Sequence, residues 1–187
     1  MRRLYFLTGN RDKFLEVKLV LNEFGLDVVQ VPRGKVEIQS QSLEEIAVYA
    51  VKNLRGVGGF VFTEDAGLFV RALRGFPGPY SSYVYRTIGI EGLLKLMEGV
   101  GDRSAYFESV VALRLPTGRV EVFRGRVEGT ITTEARGSGG FGFDPIFVPD
   151  GQERTFAEMG LREKNYLSHR GRAVRSMAQW LLSSGVI

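Results

Sequence analysis

The chain contains no cysteine, a single histidine and a single tryptophan among its 187 residues. Without cysteine it forms no disulfide and offers no thiolate to a metal ion, which fits a reducing compartment, so a cytoplasmic location is expected. No apolar run reaches membrane length. The hydrophobic opening, Leu4 to Leu7, is far too short for a span or a leader. The net charge is +4, yet the basic residues form no block. A mixed surface of this kind argues against a nucleic-acid tract and leaves a small polyanionic ligand compatible. Internal repeats, low-complexity stretches and linkers are also missing, so residues 1–187 are expected to form one domain.

What is present is ordinary globular composition, with 44% hydrophobic and 25% charged residues. Glycine is plentiful, at 24 residues, and gathers in a few short stretches that read as shaped loops. Residues 3–8 read as a strand. Phe14, Val17, Leu21 and Phe24 share a helical face, with Gly25 as a stop. Leu26–Val31 reads as a second strand, ended near Pro32. Ser-Leu-Glu-Glu at 42–45 matches a capping box and predicts a helix from Leu43 to about Leu54. Residues 60–65 read as a short strand finishing on two acids. The stretch 74–83, with two prolines and two glycines, reads as a loop. Residues 90–99 have helical spacing, and 104–115 with 119–131 form an alternating hairpin. A glycine-rich loop spans 136–147. A final helix runs from Ser168 to about Ser183, with Ala173, Met177, Trp180 and Leu181 inward. The order is that of a mixed α/β protein, in which a central sheet and a helical second lobe leave a cleft for a ligand.

Four stretches are able to carry chemistry. Thr8-Gly9-Asn10-Arg11-Asp12-Lys13 joins a strand to a helix. Backbone N–H groups at a helix start bind anions, and a lysine one turn on adds a point charge. The spacing matches neither a Walker loop nor a Gly-x-Gly-x-x-Gly turn, and an ordinary capped turn explains it equally. Glu64 and Asp65 are adjacent carboxylates that end an apolar strand, where open α/β sheets border their ligand crevice. They suit magnesium or the activation of water, or they are a polar strand end. Glu37, after the second strand, is a further candidate ligand. In the third stretch, Phe141, Gly142, Phe143 and Asp144 offer ring faces for a base and a carboxylate for its edge, or two phenylalanines tucked into the core. Lys164, His169 and Arg170 are donors gathered at a helix start, able to meet a keto oxygen. A structural role serves a lone histidine as well.

Taken in order, "TGNRDKFLEV" (8–17), "EIQSQSLEEIA" (37–47), "TEDAGLFVRALRGFPGPYS" (63–81), "RSAYFESVVAL" (103–113), "FRGRVEGTI" (123–131), "GFGFDPIFVPDGQERTFAEM" (140–159) and "EKNYLSHRGRA" (163–173) resemble one family. It is the inosine/xanthosine triphosphate pyrophosphatases, which hydrolyse deaminated purine nucleoside triphosphates. The resemblance covers nearly the whole chain. It implies a long curved mixed sheet flanked by helices, two lobes with a central cleft, a homodimer and a magnesium ion. By position it implies that Thr8, Gly9, Asn10 and Lys13 grip the triphosphate, with Arg11 and Asp12 in the same loop. Glu37 and Asp65 would bind magnesium, with Asp65 also the proton acceptor and Glu64 its helper. Phe141, Gly142, Phe143 and Asp144 would form the base pocket, and Lys164, His169 and Arg170 would meet the purine and its 6-keto group. Ala66 stands where many relatives carry a hydroxyl, so only its backbone N–H is left to touch substrate. On the residues alone, a related pyrophosphatase for modified pyrimidine triphosphates and a non-enzymatic nucleotide- or RNA-binding module stay open.

Overall fold

The computed structural model describes residues 3–187. Its elements are β1 (Arg3–Leu7), α1 (Arg11–Glu23), β2 (Asp27–Val31), α2 (Leu43–Asn53), β3 (Phe60–Val70), β4 (Pro77–Gly78), α3 (Ser81–Thr87), α4 (Gly89–Leu96), β5 (Ser104–Arg114), β6 (Val120–Ile131), β7 (Phe147–Pro149), α5 (Leu161–Leu167) and α6 (His169–Ser183). The strands form one open mixed sheet in the order β2-β1-β3-β5-β6-β7, with β4 on the far half of β3. β1 runs parallel to β2 and β3, and the other pairings are antiparallel.

The helix signals in the sequence act as expected, with one substitution of partner. Asn10 caps α1 by accepting from the Lys13 N–H at 3.0 Å, and Gly25, at φ +67°, lets the chain turn out of the helix. Ser42 accepts from the Glu45 N–H at 3.2 Å. The return bond of the expected capping box is relayed, however. The Ser42 N–H donates to Ser40 Oγ (3.0 Å), whose hydroxyl donates to the Glu45 carboxylate (2.6 Å). Two short helices were not expected: α3, which begins inside the stretch read as loop, and α5.

β3 also differs from expectation. It does not stop at the two acids but continues to Val70, because β5 pairs with it without a break from Val61↔Arg114 to Val70↔Ala105. The parallel partner β1 covers only its first part, ending at Phe6↔Phe62. Glu64 and Asp65 therefore lie just beyond the carboxyl end of the parallel strands, in the middle of a longer antiparallel ribbon.

The core is divided in a way that leaves this mid-strand region polar. One hydrophobic cluster gathers β1, β2, the start of β3, α1 and α6, including Phe6, Phe62, Leu113 and Met177. A second gathers the far halves of β3, β5 and β6 with α3, α4 and β7, including Leu68, Leu93, Phe147 and Phe156. A third places α2 on the opposite face of the sheet, against Val110 and Ala112. α6 lies directly on β6 because Gly125 has no side chain: a Cβ there would stand 2.1 Å from the His169 carbonyl oxygen and 2.5 Å from the Ala173 nitrogen. Backbone cannot yield as a flexible side chain does. Gly125→Ala is expected to lower stability by about 1–3 kcal/mol, read as a lower urea midpoint with an unchanged slope.

Candidate active site

The strand-to-helix turn after β1 is self-capping. Thr8, buried, accepts from the Asn10 N–H through Oγ1 at 3.1 Å, and Asn10 in turn caps α1. Gly9, Asn10, Arg11 and Asp12 are exposed. One turn into the helix, Lys13 crosses to β3 and places Nζ 2.8 Å from Glu64 Oε2.

Glu64 and Asp65 are neighbours in sequence whose side chains leave the strand on opposite faces, though they stay within electrostatic reach of each other. On a regular strand, successive side chains point to opposite faces, and no bulge interrupts β3 here. Glu64 points beneath α1 and α6, on the face of Phe62. There Lys13 and Arg170 Nε (3.1 Å) approach its two oxygens, and Ser109 Oγ donates to Oε1 at 2.7 Å. The two cations meet Glu64 as close charges, off the line of a hydrogen bond, since Oε2 and Arg170 Nε make no aligned bond. Burial opposes its charge, but Arg170 and Lys13 more than offset that and hold Glu64 well below the usual carboxylate range. Ser109 is registered opposite Ala66, so the hydroxyl in this part of the site comes from the neighbouring strand.

Asp65 points to the other face. Its Oδ1 accepts from Lys35 Nζ at 2.7 Å, and the same ammonium is 3.1 Å from Glu37 Oε1. Its second oxygen, Oδ2, is buried and without a partner. Burial pushes Asp65 above the ordinary aspartate value, against the pull of Lys35 and Lys13. Lys35 also loses by burial, yet Asp65 and Glu37 hold its pKa above the ordinary lysine value.

From Glu64 the charges continue through α6 and α5. Arg170 reaches both Glu64 and Glu16, Glu16 accepts from Lys164 Nζ at 2.6 Å, and Lys164 also donates to Asp144. Asn165 Nδ2 donates to the Glu16 carbonyl oxygen at 3.0 Å. Burial opposes the charge of Glu16, but Arg170 and Lys164 hold it low. Burial carries Asp144 upward in spite of Lys164. Asp144 folds the glycine-rich loop back on itself by accepting from the Phe141 N–H at 2.9 Å. That closure needs Gly140, at φ +66°, where a Cβ would stand 2.1 Å from Asp144 Oδ2.

The two phenylalanines of this loop separate. Phe141 is half-buried, with Lys164 Nζ 4.7 Å and Arg170 Cζ 5.2 Å from its ring centre. Phe143 is buried in the second hydrophobic cluster and meets Tyr85 edge-on, so it is the tucked alternative that describes it. His169 stacks on Phe107 at 4.6 Å and 9°. Burial, aided by Arg170, keeps it neutral, with its pKa well below the usual histidine value, and its Nδ1 has no partner.

The fold thus joins Lys13, Glu64, Arg170, Lys164 and Asp144, which lie far apart in the chain, into one buried network. Glu37 and Asp65 are joined separately through Lys35. Glu16, Lys35 and Ser109 were not expected. Glu16 carried a signal: it lies three residues from Lys13 on the inward face of α1, beside Val17 and Val20, where a lone charge needs partners. Ser109 is a polar residue at a buried position of an alternating strand. Lys35 sits in an irregular connection and carried none. Pockets of about 360 Å³ beside Arg114 and about 380 Å³ beside Ile88 contain none of these groups; the candidate site is marked by its ionisable network.

The sequence profile of the Ham1 family matches residues 4–180. The chain belongs to the Ham1 family. Over 180 residues it is 53% identical to the dITP/XTP pyrophosphatase of Thermococcus kodakarensis, covering 96% of this chain and 97% of that one. Its identity to the dITP/XTP pyrophosphatase of Pyrococcus horikoshii is 49%, covering 96% of each. The structure of a HAM1 protein from Coxiella burnetii superposes with a TM-score of 0.85 at 28% identity, covering 98% of this chain and all of that one. The mixed α/β fold expected from the sequence is that of these Ham1 structures.

The charges in this Ham1 chain set a stability profile. Glu16 and Glu64 have folded pKa values below their ordinary value of 4.5. Their contribution is complete above that value and is lost as the pH falls through the folded values. Stability is therefore expected to drop in acid below about pH 4.5, and Glu64→Gln, which breaks the pair with Lys13 and leaves Arg170 with Glu16 alone, to cost about 3–5 kcal/mol at neutral pH. Because the variant lacks one of the titrating pairs, the gap between it and the parent should narrow on acidification, as followed by urea unfolding.

Proposed function

We propose that this chain is a nucleoside-triphosphate pyrophosphatase that hydrolyses deaminated purine nucleoside triphosphates (dITP, ITP and XTP) to the monophosphate and pyrophosphate. The reading is supported by about half identity over nearly the full length to the dITP/XTP pyrophosphatases together with one structural observation: a single network runs from Lys13, one turn after the exposed Gly9 and Asn10, through Glu64, Arg170, Glu16 and Lys164 to Asp144 in the glycine-rich loop. Such a network suits a ligand with phosphates at one end and a flat base at the other.

Lys13 and the N-terminal backbone of α1 hold the phosphates. Asp65 is the proton acceptor, its unpartnered Oδ2 taking a proton from the attacking water. The water oxygen bonds to the α-phosphorus as the bond to the bridging oxygen breaks, and pyrophosphate departs. Glu64, held ionised and locked between Lys13 and Arg170, keeps Lys13 in place and does not itself move protons. Phe141 offers its open edge to the base. Neutral His169 and the guanidinium of Arg170 supply donors for a 6-keto oxygen, whereas adenine would set a donor against donors.

Magnesium fits the acids present. Among the described residues no group of three or more histidines and carboxylates is arranged to hold a metal, but Glu37 and Asp65 already share one cation, and Asp65 keeps a buried oxygen free. Magnesium is commonly held by one or two carboxylates plus phosphate oxygens and water, and there it would neutralise and order the triphosphate. Together the network and the separate Lys35 group set four cations (Lys13, Lys35, Lys164, Arg170) against five carboxylates (Glu16, Glu37, Glu64, Asp65, Asp144), so these groups by themselves offer a polyanion no net positive charge. The reading extends to a cytoplasmic homodimer in which each chain is one two-lobed domain with the nucleotide between its two larger hydrophobic clusters. Exposed Phe76, Tyr80 and Tyr83 suit a contact between subunits.

A triphosphate panel read by pyrophosphate release, with and without magnesium, tests the assignment. dITP, ITP and XTP should be cleaved far faster than ATP or dUTP, and equal rates with dUTP would overturn it. Asp65→Asn should lower kcat by about 10²–10⁴ with little change in the unfolding curve. Because burial raises Asp65, the acid limb of the parent's rate profile should lie above the ordinary aspartate value of 3.8.

A further inference from the structure

Lys35 has no part in the chemistry above, yet it occupies the centre of the acid pair. Its Nζ lies 2.7 Å from Asp65 Oδ1 and 3.1 Å from Glu37 Oε1, and its side chain is only 14% exposed. It also approaches the Glu64 carbonyl oxygen at 3.5 Å, where Lys13 Nζ converges at 3.4 Å. Glu37 is largely exposed and has no other ion-pair partner among the described residues, so Lys35 is what ties it to Asp65. The lysine stands in the irregular connection between β2 and α2, flanked by Gly34 and by Val36, both exposed. A long flexible stem on such a segment is able to swing without disturbing a strand or helix.

We propose that Lys35 is a resident cation of the Glu37–Asp65 pair, which holds the two carboxylates together in the free protein and gives up its place to a divalent ion. This rests on the magnesium reading above. A carboxylate pair without any cation would be costly, especially for Asp65, buried on its strand. Lys35 removes that cost but competes with the metal. The free protein's metal affinity is then the intrinsic affinity reduced by the fraction of molecules in which Lys35 has swung out. Once displaced, its ammonium is freed beside Lys13, where it adds a second cation for phosphate oxygens. The exchange favours metal and nucleotide arriving together: the ion replaces Lys35 at the acids while the phosphates take up the released ammonium.

The test is Mn²⁺ binding to the nucleotide-free protein, measured by electron paramagnetic resonance. Lys35→Met, which keeps the stem and removes the charge, should bind Mn²⁺ about tenfold more tightly than the parent if the swung-out state is a tenth of the population. Lys35→Met/Asp65→Asn should lose the gain, which locates the ion at the acid pair. Lys13→Met, which removes a nearby charge that does not bridge Glu37 and Asp65, should gain much less. Without divalent ion Lys35→Met should melt lower than the parent, and Mn²⁺ should raise its melting temperature by more. Unchanged or weaker Mn²⁺ binding in folded Lys35→Met, checked with Lys35→Gln, overturns the proposal, as does an equal gain in Lys13→Met. A parent that releases no pyrophosphate from dITP would instead defeat the functional reading, and the binding comparison stands apart from it.

Discussion

The rest of the site depends on one buried carboxylate. Glu64 sits in the middle of β3, fully enclosed, with Lys13 from α1, Arg170 from α6 and Ser109 from β5 around it. A lone carboxylate there would be neutral or would not be buried at all. Its charge persists because three separate elements bring donors to it, and those elements are held in place by the same contact. Arg170 then passes the constraint to Glu16, and Glu16 to Lys164 and Asp144. Breaking one pair leaves its partner's charge buried, so the network fixes the geometry of helices and loop more firmly than it adds net stability.

The sheet explains why the polar centre lies where it does. Hydrophobic clusters occupy the two ends of the β3–β5–β6 ribbon on one face, and α2 covers part of the other. Between the end clusters the inward positions of β3 are Glu64 and Ala66, and β5 offers Ser109. Small or charged residues leave room there that aliphatic side chains would fill. The same logic operates at Gly125 and Gly140, where the missing side chain lets α6 reach the sheet and lets Asp144 close its loop.

Much of this was legible in the sequence. Periodicity and caps placed α1, α2, α6 and the β5–β6 hairpin, because local signals and tertiary packing agree in those segments. The collinear motifs pointed to residues that the fold joins, such as Lys13, Glu64 and Arg170. What escaped was set by partners distant in the chain. β3 continues past two acids because β5 pairs with it along its whole length, and no local signal announces that. Phe143 belongs to the core and Phe141 does not, although both stand in the same glycine-rich loop. Lys35 lies in a stretch without periodicity, and its importance exists only once Glu37 and Asp65 are brought to either side of it.

The alternation of β3 gives two carboxylates that the sequence sets side by side different surroundings. Glu64 faces the interior, ringed by cations and held far below the usual carboxylate range, so it is a fixed charge. Asp65 faces the other side, raised by burial and with one oxygen free. The cations that lock a carboxylate in place also lower its basicity, so one carboxylate in one setting cannot be both a fixed anion and a raised one. Placing the two carboxylates on successive residues of an unbroken strand resolves this. The backbone couples their positions within one residue's length, while the alternation gives each its own nearest cations, Lys13 and Arg170 for Glu64 and Lys35 for Asp65.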